Sequence, residues 1–300
     1  MPASPASPDR PAPAAPTYLP CPSAPSLRLP PGACDAHCHV FGPADRFPYA
    51  PGRGPAPADA TKEQLFALHR RLGIGRCVIV QSAVHGFDNA AIEDAIAAGG
   101  GRYLGIALVP VDVDDAELAR LAGAGFRGVR FNFMRHLPSV DPDRMLALTR
   151  RLAPLGMHLQ VHFESGLVHA LGPVLARSAV PVVIDHFGRV EAAAGPDHAD
   201  FRALEALLRD PRFRVKVSGV DRSSRAGRTP PYDDAVALAR RLVEAAPDRC
   251  FWGTDWPHPN HHHVPDDGAL VDAIGRIAPT AELLRKLMVD NPQDFYRFPA

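Results

Sequence analysis

Short apolar segments rich in β-branched residues recur along the chain from residue 33 onward, and stretches with helical periodicity separate them. Gly or Pro stands at most of the junctions between the two kinds of segment. Eight strands that alternate with helices predict a parallel α/β fold, and eight is the number that closes a TIM-like (β/α)8 barrel. The predicted strands are residues 34–40, 77–82, 104–110, 128–133, 158–163, 181–186, 213–218 and 250–255.

A doubly wound open sheet is the alternative fold for the same alternation of strands and helices. No glycine-rich phosphate loop follows the first predicted strand, which removes the usual reason to prefer that fold. Residues 1–32 contain eleven of the 33 prolines, and proline fixes φ and removes a backbone donor. We therefore predict an extended Pro-rich N-terminal arm over residues 1–32, either disordered or lying on the surface, and one barrel domain over residues 33–300.

Charge and composition limit the classes of partner. Lys and Arg (33) balance Asp and Glu (33), which gives no electrostatic case for binding nucleic acid or an acidic membrane. No apolar run reaches the ~18 residues of a membrane-spanning helix, and the N-terminus lacks the pattern of a secretion signal. The five scattered cysteines are too few for a disulfide framework. We therefore expect a cytoplasmic protein with a small-molecule partner, with no nucleic-acid or membrane partner, and as a possible homo-oligomer.

Imidazoles and carboxylates stand at the carboxyl ends of at least five predicted strands, where a barrel of this type builds its active site. His37 and His39 are two residues apart on the first strand, so their side chains share one face. Together with His162, His186 and Asp255 they form a set of ligands that is ordinary for zinc or a similar divalent ion. The alternative is that some of these histidines are hydrogen-bonded core residues.

Asp255 at the predicted barrel mouth suits a general base that takes a proton from water, although it could instead cap the next turn. Several arginines closely follow strands at the same end. A guanidinium group matches the geometry of a carboxylate, so we predict an anionic substrate of the dicarboxylate type, with surface salt bridges as the alternative. The consecutive histidines at 261–263 are expected to face solvent. The arginines concerned are Arg130, Arg135, Arg189 and Arg222.

The motifs that contain these residues resemble the amidohydrolase superfamily, and within it the 2-pyrone-4,6-dicarboxylate lactonase group. Asp35-Ala36-His37-Cys38-His39, the histidines at the strand ends and Gly253-Thr254-Asp255 carry the wider resemblance. The resemblance extends from about residue 30 to the C-terminus. The segments that resemble the lactonase group are residues 35–43, 47–51, 128–133, 255–260, 265–268 and 289–292.

This resemblance implies a barrel enzyme that hydrolyses a lactone in aromatic-compound catabolism. It implies that Asp255 deprotonates the attacking water while His37, His39 and His186 surround the scissile carbonyl, which agrees with the general needs of hydrolysis. It further implies that the substrate carboxylates meet arginines, with Tyr49 nearby. The predicted substrate-binding residues are Arg130, Arg222, Tyr49, Arg135, Arg189 and His258.

Two departures from the lactonase pattern affect the expected cofactor and substrate. The lactonases have a tyrosine at the end of strand five and work without a metal, whereas this chain has His162. That change restores the metal-dependent arrangement of the superfamily, so we predict one divalent ion, Zn²⁺, with His37, His39, His162 and Asp255 as its ligands. A family arginine after strand four is replaced by His136. The alternative function is therefore a zinc-dependent hydrolase of a muconolactone-type or sulfonated lactone.

Two further functions remain as alternatives on the same barrel. One is a metal-dependent decarboxylase or hydratase, which release of CO₂ or loss of a double bond would distinguish from ring opening. The other is a non-catalytic anion-binding protein. The joint presence of His37, His39, His186 and Asp255 disfavours it, because binding alone needs no residue that activates water.

Overall fold

The predicted barrel is confirmed by the computed structural model, which describes residues 14–51, 56–137, 140–225 and 229–299. The described residues form eight parallel strands that pair in chain order. Backbone hydrogen bonds from Ala36 to Trp252 (2.8 Å) and from His39 to Trp256 (2.7 Å) join the first strand to the segment after the last one and close the ring. The strands are β1 Cys34–Cys38, β2 Arg76–Val80, β3 Tyr103–Leu108, β4 Phe126–Phe133, β5 His158–Phe163, β6 Val182–Ile184, β7 Phe213–Lys216 and β8 Cys250–Phe251.

Helices that follow the strands cover the outside of the barrel with one apolar face each. Helix α1 begins with a capping box at Thr61, whose N–H donates to Gln64 Oε1 (2.7 Å), and it ends at Gly73 with φ 77°. In α4 the cap is Asp141, and Pro142 takes the first helical position. The described α-helices are α1 Lys62–Leu72, α2 Ala90–Ala98, α3 Asp115–Gly123, α4 Pro142–Leu152, α5 Val168–Leu175, α6 Ala199–Leu207, α7 Val220–Ser223, α8 Asp233–Ala245, α9 Asp267–Ile277, α10 Ala281–Arg285 and α11 Asn291–Tyr296.

The two faces of the strands bury different chemistry. On β5, Leu159 and Val161 are completely buried in the apolar core between strands and helices. Gln160 is also completely buried, and its side chain accepts a hydrogen bond of 2.8 Å from Lys216 of β7. Because parity places successive side chains on opposite faces, these polar groups occupy the interior of the barrel. The interior is therefore partly polar and its groups are paired with one another.

The described part of the N-terminal arm, residues 14–32, lies on the barrel surface. The Tyr18 ring packs 5.0 Å from that of Trp256. Backbone N–H groups of Ser23 and Leu27 donate to Asp266 Oδ1 (2.9 Å) and Asp272 Oδ1 (2.8 Å) around helix α9. The rest of the predicted arm, residues 1–13, falls outside the described residues. Among the helices of the described ranges, none combines the length and apolarity needed to cross a membrane.

Candidate active site

The carboxyl ends of the strands surround one deep pocket with a volume of about 780 Å³. His39 after β1, His162 in β5 and Asp255 after β8 line this pocket together with residues 14, 15 and 17 of the arm. Side chains from distant parts of the sequence thus meet at the end of the barrel where the strand-end chemistry predicted a site. Further polar residues in the pocket wall are Tyr49, Arg130, Asn132, His136, Glu164, His186, Arg189, Arg222 and His262.

Asp255 is buried at the floor of the pocket, and its two carboxylate oxygens have different surroundings. Oδ1 faces the imidazole cluster of His37, His39 and His186, whose Nε2 atoms lie 3.7, 3.3 and 3.6 Å away, respectively. Oδ2 accepts a hydrogen bond of 2.6 Å from Nη2 of Arg222. One oxygen is therefore held by a guanidinium group, while the other faces three ring nitrogens.

The backbone at this site is strained. Asp255 and His186 have left-handed φ values of 64° and 47°, which cost non-glycine residues about 1 kcal/mol or more. At Asp255 the conformation is fixed from both sides, since its N–H donates to the His37 carbonyl (2.8 Å) and its carbonyl accepts from the His258 N–H (2.7 Å). The closure of the barrel therefore holds the Asp255 carboxylate against the histidines of β1.

The neighbours of His39 determine where its ring proton lies. Nδ1 is 2.7 Å from the backbone carbonyl oxygen of Val80, and a carbonyl can only accept, so Nδ1 carries a proton. The lone pair of Nε2 in neutral His39 then faces Asp255 Oδ1 at 3.3 Å. Two acceptors at this distance need a shared proton or a cation between them. The imidazole cluster and Asp255 thus form a place suited to a positive charge.

Burial controls the protonation of the rings. Burial, and after it the charge of Lys216, lowers the pKa of His37 to about 4. Burial also lowers the pKa of His186 well below its usual value. Burial alone would raise the pKa of Asp255, but its charged and hydrogen-bonded neighbours, Arg222 among them, outweigh it and hold this pKa well below its usual range. At neutral pH the site therefore combines an ionised carboxylate with uncharged His37 and His186.

Two charged residues beneath the pocket, Asp185 and Lys216, support these residues, and sequence reasoning gave them no role. Asp185 accepts a hydrogen bond from Arg130 Nε (2.8 Å), and its Oδ1 lies 3.1 Å from His37 Nδ1. Lys216 Nζ lies 3.5 Å from the same Asp185 oxygen. Both residues are completely buried. The available signal was a charged residue at the end of each of two apolar strands, which indicates a buried ion pair inside a barrel.

His162 lies in the pocket but apart from the most compact group of possible metal ligands. Its Nδ1 is 3.3 Å from Asn132 Oδ1, and its ring centre is 5.4 Å from that of His186. The ligand atoms of His37, His186 and Asp255 all lie within 4.8 Å of one another, and His162 is outside this group. Of the histidines in the predicted ligand set, His37 and His186 therefore belong to the compact group with Asp255. His39, also a predicted ligand, contacts Asp255 but lies outside the same group.

The predicted substrate contacts divide into two sets. Arg130, Arg189, Arg222 and Tyr49 line the pocket. Nη1 of Arg189 is buried without a hydrogen-bond partner among the residues described, and the Tyr49 hydroxyl donates to Asp59 Oδ1 (2.6 Å). The second set consists of Arg135 and His258, which lie outside the pocket wall.

Arg135 and His258 require a correction. Arg135 is exposed beyond the end of β4 and lies outside the pocket lining. Its position two residues past the strand takes it onto the surface, where its N–H donates to Glu164 (3.3 Å). His258 is completely buried, with Nε2 3.1 Å from Asp267 Oδ1, so it anchors the loop to helix α9 and is shielded from the pocket.

The expectation that residues 261–263 face solvent is wrong for His261. Its side chain is 1% exposed, and its Nε2 lies 3.0 Å from Asp221 Oδ2. His263 Nε2 lies 3.0 Å from the same oxygen, whereas His262 is exposed and lines the pocket. The loop folds inward because Asp221, a buried carboxylate after β7, attracts both imidazoles. Sequence reasoning missed Asp221, which no periodicity connects to a loop forty residues later.

Comparison with known proteins identifies the family. The family model for Amidohydrolase matches residues 34–298, which is nearly the whole barrel. The chain belongs to this amidohydrolase family. The amidohydrolase is 46% identical over 284 residues to a 2-pyrone-4,6-dicarboxylate hydrolase of Comamonas testosteroni, covering 92% of this chain and 93% of that relative. It is 40% identical to a 4-sulfomuconolactone hydrolase of Hydrogenophaga intermedia, covering 89% of each chain.

Solved structures agree with this fold. A structure from Agrobacterium tumefaciens superposes with a TM-score of 0.80 at 27% identity and covers 92% of the amidohydrolase and 99% of its own chain. A zinc-bound amidohydrolase from Burkholderia multivorans has a TM-score of 0.70 at 21% identity and covers 89% of this chain and 99% of its own. The second likeness supports the fold alone. The family predicted from the sequence is thus confirmed.

Proposed function

We propose that this amidohydrolase opens the ring of a small anionic lactone by hydrolysis, in aromatic-compound catabolism, with Asp255 as the base that takes a proton from water. The observation that carries the proposal is the ionised Asp255 on the pocket floor, with Oδ1 facing the imidazole cluster. The relatives named as hydrolases of 2-pyrone-4,6-dicarboxylate and 4-sulfomuconolactone support a cyclic ester as the substrate.

The charges of the pocket favour an anionic substrate. Arg130, Arg189 and Arg222 line the wall, against the carboxylates of Glu164 and Asp255. Arg222 is bound to Asp255 and Arg130 to Asp185, so the guanidinium of Arg189, with its Nη1 unpartnered within the described part of the chain, is the best placed to receive a substrate carboxylate or sulfonate. Burial lowers its pKa to about 10, and Arg189 therefore stays charged at neutral pH.

The roles within the reaction follow from the two oxygens of Asp255. Arg222 keeps Oδ2 fixed, which leaves Oδ1 to accept the proton of a water molecule that attacks the lactone carbonyl. His37, His39 and His186 surround the same position and exclude bulk water from it. Attack forms a new carbon–oxygen bond at the carbonyl and breaks the ring ester bond, and the leaving ring oxygen takes the proton that Asp255 accepted from water. The product is an open-chain acid with one more carboxylate, which the arginines of the wall stabilise.

The ligand chemistry of the floor also fits one divalent metal ion, which we propose to be zinc. His37, His186 and Asp255 would hold it, because their ligand atoms lie together and burial keeps both imidazoles unprotonated. When bound, such an ion lowers the pKa of a coordinated water and polarises a carbonyl.

A ring-opening assay in H₂¹⁸O tests the proposed reaction. We expect the purified protein to convert 2-pyrone-4,6-dicarboxylate, 4-sulfomuconolactone or both to a product heavier by one water, with the label in a carboxylate. Comparison of kcat/KM for the two lactones identifies the preferred ring. Release of CO₂, or label at a carbon–hydroxyl group with the ring intact, would instead establish the decarboxylase or hydratase alternative. Asp255→Asn, purified in parallel, excludes a contaminating hydrolase.

Metal content per chain tests the proposed ion separately. In protein purified without an affinity tag or added metal, we expect near one equivalent of zinc. The zinc should persist in His162→Tyr and be lost in His186→Asn, because only the second residue belongs to the compact ligand group. Fully active protein without metal would refute the zinc proposal and leave the role of Asp255 as base intact.

A further inference from the structure

Nη2 of Arg222 contacts three acceptors, and one of these contacts imposes a condition on His261. This nitrogen lies 2.6 Å from Asp255 Oδ2, 2.8 Å from His261 Nδ1 and 3.2 Å from the Pro259 carbonyl oxygen. A guanidinium group only donates hydrogen bonds, so Nδ1 of His261 must accept with its lone pair. The ring proton of a neutral His261 then lies on Nε2. The contact with Arg222 is therefore possible in one tautomer only.

Asp221 places a carboxylate beside the nitrogen that carries the proton in this tautomer. Its Oδ2 lies 3.0 Å from His261 Nε2, an ion-pair distance without the alignment of a hydrogen bond, and the Asp221 carboxylate is 1% exposed. Burial alone would raise the pKa of Asp221, but the neighbouring imidazoles of His261 and His263 outweigh it and hold the pKa far below its usual value. An anionic carboxylate next to Nε2 favours the proton on that nitrogen and so leaves Nδ1 free to accept from Arg222.

We propose that Asp221 and His261 are positioning residues that hold Arg222 against Asp255. The chain of contacts runs from the Asp221 carboxylate through the His261 ring and the Arg222 guanidinium to Oδ2 of Asp255. This chain of contacts keeps Oδ2 of Asp255 bound to Arg222, and it therefore leaves Oδ1 facing the imidazole cluster. This inference rests on the proposed function, because it takes Asp255 to be the base of the reaction.

A metal site built from Asp221, His261 and His263 is the competing interpretation, since their ligand atoms also lie within 4.8 Å of one another. Coordination by His261 Nε2 would require the proton to move to Nδ1, which would then face the N–H of Arg222 at 2.8 Å. Two donors in contact repel, so the observed contact between Arg222 and His261 favours the positioning role.

His263 provides a matched control. It contacts the same Asp221 oxygen at 3.0 Å from the same loop, and its described hydrogen bonds do not include Arg222. We expect His261→Leu and Asp221→Asn to lower kcat about 10- to 100-fold with KM changed less than threefold. His261→Asn, whose side-chain oxygen can still accept from Arg222, should recover most of the loss, and His263→Leu should stay within twofold of the unchanged protein.

Two kinetic results would overturn the proposal. Equal losses in His261→Leu and His263→Leu would indicate a general effect on the loop, and a rise in KM at unchanged kcat would mean that Arg222 binds substrate independently of His261. Retention of a second equivalent of zinc, lost in both histidine variants, would establish the metal site instead.

Long-range ¹H–¹⁵N spectra of histidine-labelled protein test the tautomer without any substrate. In the original protein we expect the signals of one ring that carries its proton on Nε2. These signals should disappear in His261→Leu, and in Asp221→Asn they should show the change to the other tautomer. A proton on Nδ1 of His261 would refute the proposal. Because this measurement needs no lactone, an inactive protein with the expected spectrum would count against the proposed function alone.

Discussion

Asp35 and Asp255 are two buried carboxylates at the seam where β8 meets β1, and they differ in how their oxygens are used. Asp35 accepts hydrogen bonds from the backbone N–H groups of His37 (3.0 Å) and Thr254 (3.1 Å) and from the Thr254 hydroxyl (2.6 Å). Its Oδ2 also lies 3.4 Å from His69 Nε2. Each oxygen of Asp35 therefore has two donors, and the residue is sealed from the pocket.

Asp255 has one short hydrogen bond, to Arg222, and its Oδ1 faces ring nitrogens at 3.3 to 3.7 Å on the pocket side. An oxygen that is fully supplied with donors gains nothing from a further proton, whereas one that faces loosely spaced acceptors can take a proton or share a cation. Burial therefore does not distinguish the two carboxylates, whereas the number of donors that their oxygens meet does.

Replacement of Asp255 should give the largest effect. We expect Asp255→Asn to lower kcat about a thousandfold, equivalent to ~4 kcal/mol of activation free energy, because the amide cannot accept the proton from water. The melting temperature should change little. Steady-state kinetics and a thermal melt measure the two quantities, and a kcat within tenfold of the original would contradict the assignment of the base.

Asp35→Asn should have the opposite effect, with a large loss of stability and a small loss of activity. Its amide would place N–H donors against the donors of Thr254 and His37, so we expect the free energy of unfolding to fall by about 3 kcal/mol. Activity per folded molecule should fall less than tenfold. Urea unfolding with a parallel active-site titration measures both. A loss of activity above tenfold with an unchanged free energy of unfolding would remove the distinction between the two carboxylates.

The buried pair of Asp35 and His69 should also make the stability of the fold depend on pH. Burial alone would lower the pKa of His69, but the hydrogen bond to Asp35 and the nearby Cys38 outweigh it and raise this pKa to about 9. A raised folded-state pKa gives stability that is complete below the unfolded value near 6.5 and is lost as pH rises through 9.

We therefore expect His69 to account for a loss of about 2 kcal/mol in the free energy of unfolding between pH 6.5 and 9. Lys216, whose pKa burial lowers to about 8, acts in the opposite direction at higher pH, so the comparison must be made between the original protein and His69→Gln. The same change of the free energy of unfolding with pH in both proteins would show that His69 is not the group responsible.

On the pocket side, loss of a substrate contact should have the smallest effect. We expect Arg189→Ala to raise KM about tenfold, or ~1.4 kcal/mol, with kcat within threefold, because the residue lines the pocket and makes no hydrogen bond to Asp255 among the described residues. Arg135→Ala is the matched control, since that arginine is exposed outside the pocket and should leave KM unchanged. Equal effects of the two substitutions would indicate long-range charge attraction in place of direct contact.

The residues that follow strand parity could be predicted from the sequence. The eight strands and the convergence of His37, His39, His186 and Asp255 follow from alternation and from the shared end of parallel strands. By contrast, the burial of His261 depends on how a loop folds back onto Asp221, and no repeating pattern encodes that path. His186 likewise has a left-handed φ of 47°, a local backbone feature that strand parity does not encode.

Residues 14, 15 and 17 of the arm line the pocket, and Thr17 donates a hydrogen bond to the carbonyl of Pro257. A segment fused directly ahead of residue 14 would therefore begin close to the entrance of the pocket. An oligohistidine tag at that point would bring foreign imidazoles to a pocket for which we propose a metal ion. A handle at the carboxyl terminus, or one removed by a protease before analysis, is the sound choice for studying this enzyme.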